Sequence, residues 1–109
     1  MTNHVYVRDF IFQDAATSTG AGNELDLQGL ACDVNIDIDF SSGSAAGTIK
    51  IEESNTTGYA GTWATLATIT WAAASTKQNF KAYGTFKILR CRISSAITGG
   101  TVTIKGDVN

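Results

Sequence analysis

The sequence predicts an all-β fold: a single β-sandwich, jelly-roll-like, of about eight short and mostly antiparallel strands. Three observations carry that expectation. Residues Cys32 to Phe40 alternate strictly between apolar and polar side chains, the chain has 11 Gly and no Pro among abundant Thr, Ile and Val, and Gly-rich breaks recur at strand-length intervals. Branched and aromatic side chains suit a pleated surface, and without proline the turns rest on Gly, Asn, Asp and Ser.

Taken in order, Val5 to Phe12 reads as a first strand or as an arm that exchanges with a neighbour, so residues 1–12 carry two readings within one domain over 1–109. After the break at Ser18 to Asn23, Leu25 to Leu27 forms a short strand. Cys32 to Phe40 then sets every even side chain on one face and every odd, acidic or amide one on the other. A helix would scatter the same residues around its circumference. Ser41 to Gly47 reads as a turn into Thr48 to Glu52, a hairpin whose outer face brings Asp37 and Asp39 near Lys50.

Beyond the loop Asn55 to Gly61, strands are expected at Trp63 to Thr70, Asn79 to Tyr83, Phe86 to Ile93 and, after Thr98 to Gly100, Thr101 to Val108. Within Phe86 to Ile93 the apolar parity changes between Ile88 and Leu89, which marks either a bulge or a position covered on both faces. Beyond it, Leu89, Cys91 and Ile93 face inward and Arg90 and Arg92 outward.

Size and charge narrow the function. A chain of 109 residues buries roughly 65% of its unfolded surface, enough for one core. A formal charge of −2 gives no general attraction to a phosphate backbone, so no nucleic-acid role is expected. The longest apolar run, Trp71 to Ala74, is far short of the roughly 20 residues that span a bilayer, so no membrane segment is expected. The first residues lack a basic stretch followed by an apolar one, so folding is expected in a cytoplasm.

Catalytic chemistry finds little material. His4 is the one histidine, near the start of the chain, and no Ser-His or Cys-His arrangement can be built on it. Asp33, Asp37 and Asp39 point the same way but lie about 7 Å apart along a strand, which describes a solvated face better than a calcium site. The Asn55 to Gly61 loop has no acidic residue to add. Gly20-Ala21-Gly22 and Gly99-Gly100 lack the strand-to-helix setting of a phosphate cradle. No catalytic residue, metal ligand or cofactor is therefore expected. Cys32 and Cys91 each sit in an apolar alternation, which favours buried free thiols; if paired, their loop would stabilise the fold by roughly 4 kcal/mol.

Two groups of residues are candidates for binding. Tyr59, Trp63 and Trp71 could stack on sugar rings, against the reading that the tryptophans belong to the core or rim. Lys81, Lys87, Arg90 and Arg92 make an outward basic strip opposite the acidic hairpin, suited to contact between copies or with a larger shell, against ordinary cross-strand pairing. Together with Tyr6, Arg8 and Phe10 of the first segment, Lys87, Arg90 and Arg92 form the expected assembly interface.

The order of segments is itself informative. Arg8-Asp9-Phe10-Ile11-Phe12-Gln13 leads into Gly20-Ala21-Gly22-Asn23 and Leu25-Asp26-Leu27-Gln28-Gly29. Ile49-Lys50-Ile51-Glu52-Glu53-Ser54, Gly61-Thr62-Trp63-Ala64-Thr65-Leu66, Phe86 to Ile93 and Gly99-Gly100-Thr101-Val102-Thr103-Ile104 follow. This resembles the small β-sandwich virion proteins of tailed bacteriophages. The resemblance implies a capsid decoration (cement) or auxiliary capsid protein, or a small tail- or fibre-associated module, present in many copies on the virion. It implies a major capsid protein or other virion proteins as partners, a homo-oligomer with a trimer among its forms, and no catalytic residues. A glycan-binding module is the alternative.

Overall fold

The computed structural model describes residues 6–56 and 61–109. Among them the chain forms β1 (Val7–Ala16), β2 (Leu25–Asp26), β3 (Ala31–Phe40), β4 (Ala46–Ser54), β5 (Ala64–Thr70), β6 (Lys77–Thr85), β7 (Ile88–Thr98) and β8 (Val102–Val108). Each segment expected to be a strand is one, with ends moved by a few residues. The first runs on to Ala16.

The strands make two four-stranded sheets, ordered β1-β8-β3-β6 and β2-β7-β4-β5. Every pairing is antiparallel, and β1 meets β8, β2 meets β7, β3 meets β6 and β4 meets β5. The chain is thus one long antiparallel ribbon with its tip between β4 and β5. It is folded over so that β8 also meets β3 and β7 also meets β4. That is the jelly roll, a double sheet that encloses its core without closing into a barrel.

The period-2 alternation fills the core from both sides. Val34, Ile36 and Ile38 of β3 and Ile104 of β8 meet Ile49 and Ile51 of β4 and Leu89, Cys91 and Ile93 of β7 in one apolar cluster. Full burial of each Ile or Leu contributes about 1.5–3 kcal/mol. Gly106 is a built-in vacancy in this layer: a Cβ there would lie 2.7 Å from Cε2 of Phe12, whose ring crosses from β1. Phe10 meets Phe12 edge to face, with centroids 4.9 Å apart at 71°. Gln13, also buried, donates from Nε2 to the carbonyl of Cys91 at 2.9 Å, tying the first sheet to the second.

Two sequence expectations need correction. β3 and β4 are not a hairpin, because they lie in different sheets, and Lys50 stands opposite Thr68 and Arg92 instead of the aspartates. The connection is an arch whose backbone bonds run to the β7–β8 turn: Ser41 N–H donates to Thr101 and Ala45 N–H to Thr98. Lys81 likewise lies on β6 in the first sheet, away from Lys87, Arg90 and Arg92, so the four do not form one strip. At Ile88 and Leu89 the pairing with β4 and β2 runs without a shift and both side chains are buried. Of the two alternatives there, the strand is the one covered on both faces.

The cysteines are free thiols, both buried. The N-terminal strand pairs within its own chain, as an edge strand with three register shifts and positive φ at Asp9 and Ala15. Such irregularity blunts an edge against further pairing.

Candidate functional site

The two outer faces differ in what their polar side chains do. On the second sheet, β4 and β7 place Glu52 opposite Arg90. Glu52 is 3% exposed. Its Oε1 accepts from Nε of Arg90 at 2.9 Å and Nε of Arg92 at 3.1 Å, and its Oε2 from Nη2 of Arg92 at 3.1 Å. Burial by itself would raise the Glu52 carboxyl, but the hydrogen bonds and charges of Arg92 and Arg90 outweigh it and hold the group below its ordinary value. The guanidinium of Arg90 lies 4.0 Å from the ring centre of Trp63, whose indole is buried beside β5. Lys87 pairs with Asp26 at 3.6 Å. The basic candidates of this sheet are therefore engaged within the chain, in the cross-strand pairing that was the competing reading.

The aromatic candidates divide. Trp63 belongs to this covered face, and Trp71 is half-buried against the main core. Trp63 is 5% exposed, too buried to stack on a ligand. Tyr59 and His4 lie outside the described residues. Of the first-segment candidates, Arg8 is exposed, Phe10 is half-buried and Tyr6 is 67% exposed. They stand on the edge of the first sheet, separate from Lys87, Arg90 and Arg92.

The outer face of the first sheet is organised differently. Tyr83 stands opposite Asp33, Asp33 and Asn109 exchange backbone bonds of 2.9 and 3.0 Å, and the Val7–Val108 pair sets Tyr6 beside Asn109. Tyr83, Asp33, Asn109 and Tyr6 thus form one cross-strand row, with tyrosines at both ends, 73% and 67% exposed. The next row carries Lys81, Asn35 and Asp107, and the one after it Asn79, Asp37 and Lys105. Asn79 bridges Asn35 and Asp37 with bonds of 2.5 and 2.6 Å.

Three shallow depressions open on this face. One of about 500 Å³ is lined by Asp9, Asp37, Asp39, Lys77, Lys105 and Asp107 among others; smaller ones of about 360 and 240 Å³ flank Asp33 and Asn35, walled by Tyr83 and Tyr6 respectively. Among the described residues no three His, Cys, Asp or Glu side chains converge to hold a metal ion. The face offers hydrogen bonds and two ring planes.

Sequence reasoning passed over Tyr83. The signal was present: along β6 the outward positions are Lys77, Asn79, Lys81 and Tyr83, and an aromatic there interrupts an otherwise polar parity.

Fold and surface together define a jelly-roll module with a polar outer face that carries two exposed tyrosines. No protein-family model matches the chain, and no curated protein matches it by sequence. Among solved structures, it is similar to the crystal structure of the SPBc2 prophage-derived protein YomS, with a TM-score of 0.66 and 22% sequence identity, over 100% of this chain and 97% of that one. At that identity the likeness shows a shared fold.

Proposed function

We propose that this chain is a non-enzymatic structural protein of a tailed-phage particle, a decoration protein that binds the head lattice in many copies. The observation that supports it is the end-to-end correspondence with a prophage-derived protein, on an architecture that viral shells use repeatedly. The ionisable groups of the interior fit a structural role. Glu52 is saturated by two arginines, and burial pushes the Cys91 thiol above the range in which a nucleophilic thiolate forms.

In this reading a modest contact per copy, with the major capsid protein or another virion protein and with further copies of itself, is multiplied over the lattice. The test is quantitative mass spectrometry of purified particles from the phage that encodes the chain. Many copies per particle are expected; particles without it end the proposal.

A further inference from the structure

The outer face of the first sheet holds polar groups that the fold itself does not consume. Among the described residues Asp33 and Lys81 enter no ion pair, in contrast to Glu52, Arg90 and Arg92 across the sandwich. Asp33 lies in the row between Tyr83 and Tyr6, which are 73% and 67% exposed, and Lys81 stands in the adjacent row. Exposed aromatic rings at both ends of a polar row offer flat apolar surfaces that a ligand with an apolar face can cover.

We infer that the row Tyr83, Asp33, Asn109 and Tyr6 binds a neutral oligosaccharide. The strand spacing fixes the reach: three steps of about 4.8 Å put the two tyrosines roughly 14 Å apart, the scale of a short oligosaccharide. A pyranose ring offers an apolar C–H face to each tyrosine and a rim of hydroxyls that both donate and accept. In the row Asp33 accepts and Asn109 does both, and in the adjacent row Lys81 donates, so the groups between and beside the rings match that rim. The charge balance selects a neutral ligand. Asp33 and Asp107 are offset by Lys81 and Arg8 around the same depressions, so this part of the face has no net charge with which to hold a phosphorylated or carboxylated polymer.

This assigns a ligand class to the proposed particle protein, and it moves the stacking residues from Trp63 and Trp71 to Tyr83 and Tyr6. In a particle, the face would present a weak glycan contact many times over.

The test is calorimetric titration of the purified chain with cellohexaose, xylohexaose, chitohexaose, maltoheptaose and mannohexaose, and with hyaluronan as the charged arm. At least one neutral oligosaccharide is expected to bind. Tyr83→Ala should weaken it about tenfold, the scale of one stacking contact. Asp33→Ala should weaken it too, while Lys87→Ala, whose side chain pairs with Asp26 of the second sheet, should leave it unchanged. No heat with any neutral member, binding of hyaluronan alone, or equal binding by Tyr83→Ala would each overturn the inference. Particle mass spectrometry is independent of this result: a chain absent from particles that still binds glycan defeats only the reading as a virion protein.

Discussion

Nε of Arg90 donates a 2.9 Å hydrogen bond to Oε1 of Glu52, a carboxylate buried on the outside of a sheet. The lid over this pair is Trp63, with the guanidinium 4.0 Å from its ring centre. A polar contact that would be worth little in water is thus partly desolvated, and both of its charges depend on the partner remaining in place.

Replacing the carboxylate exposes that dependence. Glu52→Gln should destabilise the fold by about 2–3 kcal/mol, since Arg90 is left half-buried without its counter-charge. In urea the midpoint should fall with the slope unchanged.

The same group sets an acid limit. Its folded pKa lies below the ordinary 4.5, so the unfolded chain binds the proton first as pH falls. Stability from Glu52 is complete above that value and is lost as pH drops through the lower, folded value. Urea melts between pH 7 and pH 3 should show wild type losing its advantage over Glu52→Gln across that interval.

The stacked pair can be measured directly. A double-mutant cycle of Arg90→Ala and Trp63→Phe should return a coupling of about 0.5–2 kcal/mol, and each single change should also disturb Glu52.

Both thiols should be inert in the native protein. Cys32 is 2% and Cys91 0% exposed, so Ellman's reagent should label neither until denaturant is added, and then both. Above the ordinary thiol value of 9.0, the unfolded chain releases the proton that folded Cys91 retains. Stability should therefore fall as pH rises past that point, and less so in Cys91→Ala.

Gly106 should not accept a side chain. Its Cβ would meet the ring of Phe12, which is 1% exposed and has nowhere to turn. Gly106→Ala should cost about 1–3 kcal/mol and lower the melting temperature by several degrees in calorimetry. Tyr83→Ala, at a position 73% exposed, should stay within about 0.5 kcal/mol of wild type, so a loss of glycan binding there is not a loss of fold.

The strands and their inward residues were legible because alternation is a local property. Val34, Ile36 and Ile38 face the core whichever strands lie beside them. The burial of both thiols followed from the same parity. The turn at Ser41 to Gly47 was legible as a turn, yet not as an arch. A short polar loop can reverse the chain within a sheet or carry it to the opposite one, and here the choice rests on bonds from Ser41 and Ala45 to Thr101 and Thr98. Trp63 shows the same limit: it meets Arg90, distant in sequence and adjacent only after folding.

By itself, then, the sequence determined an all-β chain, its strand set and the sidedness of each strand, because a pleated strand needs only its own residues to choose an inner face. The tertiary structure decided which strands are neighbours, and with that the two outer surfaces. Tyr6, Asp33, Tyr83 and Asn109 come from four separate segments and share a row only because β1, β8, β3 and β6 lie side by side. Backbone hydrogen bonds hold that order but do not encode it, since their donors and acceptors are alike at every residue and leave no mark of their partners in the local sequence.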